Sequence, residues 1–405
     1  MLARSLNLST RILSRPISSV LAGNFNLTED QLAFQETALQ FAKEHMEPFA
    51  NEWDKTDHFP IDVIKMAGNL GFGAIYCSDK HGGTGLGKLE ASIILEALST
   101  GCISTASYIS IHNMCNGLLD VFGTEEQRSK WQPGVSSFDL FTSYCLTEPN
   151  SGSDAGAMST TAKLEGNDYV LNGSKMFISG GGESHLYFVM TRTGPKEISC
   201  FIVEKDTPGL SFGKKEDKLG WRTQPTRLVN FDNCKIPKGN LLGEIGQGMK
   251  IAMRGLEGGR LTISSCALGG AWYALEKASN YMGERKQFGK HLKDFQYLRF
   301  KMAEALARLT SARMTTRACA QLMDQPIQNK HIFASIAKLI ATDDCAQIVD
   351  DCLQMFGGYG LLREYGMERM YRELRVLKIV EGTNEIMRHT IAKNLFDHHP
   401  HHHHH

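Results

Sequence analysis

YVLNGSKMFISGGGESHLYFVMTRTGPKEISCFIVE, residues 169–204, breaks into short runs dense in aromatic and β-branched residues, each closed by Gly, Asn or Pro. Runs of this length and composition predict β-strands. DLFTSYC (139–145), STTAKL (159–164) and LVNFDN (228–233) extend the pattern, and Gly166-Asn167-Asp168 and Asn172-Gly173 supply turns. Residues 138–243 therefore read as an all-β domain of about 100 residues. On its N-terminal side, residues 25–137 carry helical spacing: Leu32, Phe34, Leu39, Phe41 and Ala42 follow Thr28, a candidate cap, with Glu29 and Asp30 where a helix dipole favours acids. On its C-terminal side, residues 244–396, Leu298, Met302, Ala305, Leu309, Ala312, Thr316 and Cys319 form an apolar stripe on a long helix. Similar stretches run through 249–282 and 327–355, and long helices with short connections pack as a bundle. Helices, then strands, then helices predicts an α+β fold, mainly α, with segregated domains and no doubly wound sheet.

The chain has 405 residues, 42% hydrophobic and 22% charged, with Lys plus Arg and Asp plus Glu both 44. That balance suits two or three packed domains and lacks the basic excess needed to hold nucleic acid. Residues 1–28 carry Arg4, Arg11 and Arg15 and no acid, so residues 1–24 read as an organelle transit peptide ahead of a soluble matrix protein; the alternative is a disordered basic tail. Ten cysteines without a CxxC pair read as small buried hydrophobes, and no metal site is expected. The uncharged stretch Ala97–Leu119 is interrupted by Ser, Thr, His and Asn, which favours a buried helical region over an integral membrane span. The His-rich end, 397–405, is a tag or a natural tail and is left out of the fold.

Three segments carry candidate chemistry. YCLTEPNSGSD (144–154) leaves a strand for a turn that offers hydroxyls and backbone N–H groups to a phosphate or a ring carbonyl, or is a plain connecting loop. KMFISGGG (175–182) puts Phe177 and Ser179 on one strand face by alternation, an aromatic plane beside a hydroxyl; the same Phe also suits a core. EGTNE (381–385) follows the apolar VLKIV and precedes a helix, so burial raises the Glu381 pKa while the helix N-terminus lowers it, a balance suited to a general base; an exposed loop Glu is the alternative. ERKQFG (284–289) and QMFGGYG (354–360) end long helices, with Arg285 or Lys286 free to meet a helix C-terminus or an anion on another subunit. GGTGLG (82–87), after the strand-like GAIYC, lacks GxGxxG spacing and further βαβ units.

In this order, YCLTEPNSGSD, KMFIS, ERKQFG, QMFGGYG and EGTNE resemble the acyl-CoA dehydrogenase family over about residues 26–396. YISIHNMC (108–115), the run 198–221, QPTR (224–227) and EGTNEIMR are most similar to members acting on short branched acyl groups. The resemblance implies an N-terminal helical domain, a central β-barrel and a C-terminal four-helix bundle, assembled as a homotetramer. It implies that FAD is held by Tyr144, Cys145, Leu146, Thr147, Glu148, Pro149, Asn150, Ser151, Gly152 and Ser153, by Phe177, Ile178 and Ser179, and by Thr383, Asn384 and Glu385. Arg285, Phe295, Gln296, Gln354, Met355, Phe356, Gly357 and Gly358 would reach the same cofactor, partly across a subunit interface. Ser153, Glu257, Gly258, Gly259, Arg260 and Lys393 would contact the acyl-CoA, and Glu381 falls on the catalytic base. The implied reaction is α,β-dehydrogenation, isobutyryl-CoA to methacrylyl-CoA in valine breakdown, with electrons passed to electron transfer flavoprotein in the mitochondrial matrix. A 2-methylbutyryl- or butyryl-CoA dehydrogenase, an acyl-CoA oxidase and a non-catalytic assembly protein of the same fold are alternatives. Glu257 stands where relatives carry Asn or Asp, Lys393 where an Arg is usual, and Phe177 where many straight-chain relatives have Trp.

Overall fold

The computed structural model describes residues 20–397; most of the arginine-bearing segment read as a leader, through residue 19, and the residues from 398 onward lie outside the described residues. The first helical layer comprises α1 (Glu29–His45), α2 (Glu47–Thr56), α3 (Ile61–Asn69), α4 (Lys88–Ser99), α5 (Ile103–Phe122) and α6 (Glu125–Ser137). Thr28 caps α1 through a reciprocal box: its Oγ1 accepts the Gln31 N–H at 3.1 Å and Gln31 Oε1 accepts the Thr28 N–H at 3.0 Å. Helices α4 and α5 cover most of the uncharged stretch and bury nearly every residue of it against other helices. Among the described residues no helix is long and apolar enough to cross a membrane. GAIYC (73–77), strand-like in sequence, forms turns instead, with the carbonyls of Ala74, Ile75 and Cys77 accepting N–H groups from Thr84–Leu86.

Eight strands follow: β1 (Thr142–Cys145), β2 (Thr161–Glu165), β3 (Asp168–Ser179), β4 (Leu186–Gly194), β5 (Glu197–Glu204), β6 (Leu210–Phe212), β7 (Thr226–Pro237) and β8 (Leu241–Leu242). They make one sheet ordered β6-β7-β3-β2-β4-β5-β8, with β1 parallel beside β4. The expected closed barrel is not formed. Strand β6 pairs only with β7 and β8 only with β5, so no ladder joins the two edges. Strands β2 and β4 meet in parallel through the single pair Thr161 and Arg192. Alternation along β4 and β5 explains why closure is not needed. Tyr187, Val189, Phe201 and Val203 pack inward on Val229 and Phe231, while Leu186, Phe188, Met190, Cys200 and Ile202 pack outward on Leu118 and Leu119 of α5 and Trp131 of α6. Helices thus cover the outer face.

The last part holds α7 (Gly248–Glu284), a two-stranded hairpin β9 (Lys286–Gln287) and β10 (Lys290–His291), then α8 (Gln296–Met323), α9 (Lys330–Met355), α10 (Met367–Leu377) and α11 (Asn384–Asp397). Helix α7 is the axis of the molecule and packs on α4, α5, α8 and α9. From Gly258 to Leu275 every one of its residues is buried. All ten cysteines are buried and unbridged. Residues 21–24, inside the segment read as a leader, pack on the body. Arg313 of α8 donates to Leu21 O at 2.9 Å and to Glu96 of α4 at 2.6 Å, Arg317 donates to Gly23 O, and Gln35 donates to Ala22 O at 2.8 Å.

Candidate active site

Helix α10 ends at Leu377, and the chain turns through Glu381, whose φ of 59° lies in the left-handed region, and Gly382, φ 89°, before α11 begins. Two consecutive left-handed residues reverse the chain sharply, which costs Glu381 strain that Gly382 does not share. The turn is held from outside. Arg260 Nε donates to Glu381 O at 2.9 Å, and Lys338 of α9 donates to Gly382 O at 2.9 Å and to Asn384 Oδ1 at 2.7 Å. Asn384 in turn donates to Thr342 and Asp343, and Thr383 Oγ1 accepts the Ile386 N–H to start α11. Both cations are thus bound to the backbone of the turn, leaving the Glu381 carboxylate free of them.

The side chain of Glu381 points at α7. A Cβ at Gly259 would lie 2.8 Å from its Oε2 and 3.0 Å from Met114 Sδ, so any side chain there would push the Glu381 carboxylate or the Met114 sulfur aside. Oε2 is buried and accepts no hydrogen bond. Burial pushes the Glu381 pKa up to about 7, with Arg260 and Lys338 pulling it back. Burial likewise brings Lys338 down to about 7 and lowers Arg260, each opposed by Glu381. Tyr144 donates to Ala252 O of α7 at 3.2 Å, and its phenol is raised well above the usual range by burial and by Glu381. Tyr76, also raised by burial with Glu381 contributing, and Met114 complete the wall.

The turn segment 144–153 and the strand end 177–179 are brought side by side. Met176 N–H donates to Thr147 O at 2.8 Å, Lys175 Nζ to Leu146 O at 3.0 Å, and Ser143 Oγ to Ser179 O at 2.6 Å. Cys145, Leu146, Glu148 and Ser151 are buried anchors, Tyr144 and Thr147 half-buried, and Pro149, Asn150, Gly152 and Ser153 exposed. The shared face expected for Phe177 and Ser179 is not realised. A bulge between Lys175 and Ile178, with Phe177 at φ 58°, inserts a residue and breaks the alternation. Phe177 stands 61% exposed while Ile178 and Ser179 are buried. An uncovered aromatic ring beside an open turn fits a flat ring cofactor with a polar tail.

The remaining expected residues fall into two groups. Gly258, Gly259 and Arg260 are buried and Glu257 half-buried on the Glu381 side of α7, and Glu257 opposes the lowering of Arg260. Thr383 sits in the turn itself, and Asn384 and Glu385 open α11. Arg285, Phe295, Gln296 and Gln354–Gly358 gather elsewhere. Arg285 lies over the Tyr359 ring at 5.3 Å and Phe356 stacks on Tyr281 at 4.3 Å, beside Phe288, which is 94% exposed. From Lys338 to Gln354 along α9 is about 24 Å, and from Arg260 to Arg285 along α7 about 37 Å, so one chain does not bring these groups together. Lys393 is exposed on α11, about 13 Å of helix beyond Asn384. Sequence reasoning missed Lys338, Tyr76 and Met114. A lone lysine in the apolar run ASIAKLIA was the available signal for the first. Among the described residues no group of His, Cys, Asp or Glu is placed to hold a metal ion.

Models of the acyl-CoA dehydrogenase N-terminal, middle and C-terminal domains match residues 28–139, 143–234 and 246–396. The chain is 53% identical over 373 residues to isobutyryl-CoA dehydrogenase, mitochondrial, of Dictyostelium discoideum, covering 91% of this chain and 90% of that protein. It is 48% identical over 384 residues to the protein of the same name from Bos taurus, covering 94% and 92%. A glutaryl-CoA dehydrogenase from Mycobacterium smegmatis, solved in complex with FADH2, superposes with a TM-score of 0.87 at 27% identity, covering 92% of this chain and 96% of that one. The helix–sheet–helix order, the buried carboxylate facing Gly259 and these three matched domains lead to one conclusion: the chain belongs to the acyl-CoA dehydrogenase family.

Proposed function

We propose that this chain dehydrogenates a short branched acyl-CoA, isobutyryl-CoA to methacrylyl-CoA, with Glu381 as the base and FAD as the cofactor. The observation that carries this reading is the buried, unpartnered Oε2 of Glu381, whose pKa is raised to about 7. A carboxylate of that basicity is matched to taking a proton near neutral pH. The names of the two relatives supply the acyl group. FAD, when bound, supplies the acceptor for the β-hydride.

Tyr144–Ser153 and Phe177–Ser179 would hold the flavin, and Thr383–Glu385 would close over it. Arg285, Phe295, Gln296 and Gln354–Gly358 would come from a second copy, because their own site lies too far along α7 and α9; a homotetramer meets that need. Arg260, Gly258, Gly259, Glu257 and Ser153 would line the thioester and pantetheine path. As the α-proton leaves for Glu381 Oε2, negative charge grows on the thioester oxygen, and the backbone N–H of Glu381 offers a fixed donor for it. Tyr76, Tyr144 and Met114 keep water away from the carboxylate, which preserves its basicity. Electrons would pass to electron transfer flavoprotein in the mitochondrial matrix, within valine breakdown.

The test is Glu381→Gln assayed with isobutyryl-, 2-methylbutyryl-, isovaleryl- and butyryl-CoA, with electron transfer flavoprotein as acceptor. The wild type should turn over isobutyryl-CoA best, and the variant should keep FAD and lose turnover. Wild-type rates in the variant would remove Glu381 as base, and a preference for another acyl group would replace the substrate.

A further inference from the structure

Helix α10 ends four residues before Glu381, and it carries a second buried carboxylate, Glu373. Its Oε1 accepts the Trp221 N–H at 2.9 Å. Trp221 belongs to the segment between β6 and β7, is buried, and has φ 55°, so the chain makes a fixed corner there. Three consecutive residues seat this corner on α10. Leu219 O accepts from Arg372 at 2.8 Å, a Cβ at Gly220 would lie 2.8 Å from Val376 Cγ2, and Trp221 binds Glu373.

The other end of the segment reaches the strand that carries Phe177. Lys218 Nζ donates to Trp221 O at 2.7 Å, Gln224 O at 2.9 Å and Thr226 Oγ1 at 2.6 Å. Thr226 pairs with Ser179 across β3 and β7, and Pro225 O accepts the Gly180 N–H at 2.8 Å. Hydrogen bonds, joined by short stretches of backbone at Pro225–Thr226 and within Trp221, thus link Ser179–Gly180 through Lys218 and Trp221 to the helix whose end becomes the Glu381 turn. From α5, Ser104 holds the same segment independently: its O accepts from Gln224 at 2.8 Å and its Oγ from the Thr223 N–H at 3.2 Å. Loss of Glu373 alone therefore shifts the corner without releasing the segment.

We propose that Glu373 is a positioning residue that, by holding Trp221, sets the separation between the Phe177–Ser179 strand end and Glu381. The proposal rests on the reading of those two places as cofactor side and base. Proton and hydride removal from neighbouring carbons tolerates little misplacement, and about an ångström can cost a hundredfold in rate.

The experiment compares Glu373→Ala and Glu373→Gln in the full-length holoenzyme. Its readouts are kcat per bound FAD, KM for isobutyryl-CoA, and amide exchange of residues 178–182 and 218–226 in the flavin-free protein. Alanine should lower kcat per flavin by about tenfold or more with KM changed by less than about threefold. Exchange at both Trp221 and Gly180 should quicken, and glutamine, which keeps the accepting oxygen, should restore both. Wild-type kcat per flavin in the alanine variant, faster exchange at Trp221 with Gly180 unchanged, or a glutamine variant no better than alanine would each overturn the proposal. If the alanine variant does not fold, Lys218→Met breaks the connection from the other side and decides the matter by the same loss or its absence. A wild-type enzyme that oxidises no acyl-CoA would instead sink the functional reading, which is a separate outcome.

Discussion

Glu148, a buried residue, and Glu381, a half-buried residue whose Oε2 is buried, both lie near a lysine, yet they have opposite chemistry. Glu148 Oε1 accepts the Ser159 N–H at 2.7 Å, and Oε2 accepts the Thr160 N–H at 3.1 Å and Lys175 Nζ at 2.8 Å. Burial would raise its pKa, but these donors outweigh burial and hold it at about 2. Glu381 has the cations nearby and none of the bonds, because Arg260 and Lys338 donate to the turn's carbonyls instead. Satisfaction of the oxygens, more than depth, separates a carboxylate that ties strands together from one that can accept a proton.

The largest effect should come from breaking the satisfied pair. Lys175→Met leaves Glu148 charged, buried and short of its main donor, and should destabilise the fold by about 3–5 kcal/mol, read by denaturant unfolding. The unsatisfied member should behave in the opposite sense. The folded pKa of Glu381 is raised from 4.5 to about 7, so the folded state holds its proton more tightly, and stability from this group is full below pH 4.5 and lost as pH rises to 7. Glu381→Gln should therefore stabilise the protein by up to about 3 kcal/mol at pH 8, with the gain gone below pH 4.5. For Glu148 the folded pKa is depressed, so its contribution is present above pH 4.5 and fades toward pH 2. Thermal melts across pH for wild type, Glu381→Gln and Glu148→Gln would separate the two slopes. Gly259→Ala places a methyl 2.8 Å from Oε2 and should cut turnover by about a hundredfold while FAD binding persists, read by steady-state kinetics. The smallest change lies far from both carboxylates: Thr28→Ala removes the α1 cap and should cost about 1 kcal/mol.

Much of the molecule was legible in the sequence because local rules and tertiary packing agree. The Thr28 cap, the α8 stripe and the strand runs of β4 and β5 each form where spacing put them. Glu381 was legible because an apolar run, a glycine and a helix start frame it. Places where a distant contact overrides a local rule were not. The bulge that turns Phe177 outward breaks a period of two, and no residue count reveals an inserted residue. The open edges of the sheet depend on helices covering its outer face, which strand composition does not encode. Composition reads residues 21–24 as leader and does not show that Leu21 O and Gly23 O accept from Arg313 and Arg317, some 290 residues away along the chain. Lys338 and Glu373 were not singled out, because what they bind comes from other parts of the chain.

The pH dependence of kcat/KM for isobutyryl-CoA tests most directly whether Glu381 is held basic by an unsatisfied oxygen. We expect activity to fall on the acid side with a pKa of about 7, moved by Lys338→Met and abolished with activity in Glu381→Gln. An acid limb near 4.5, the value of an ordinary glutamate, would contradict it.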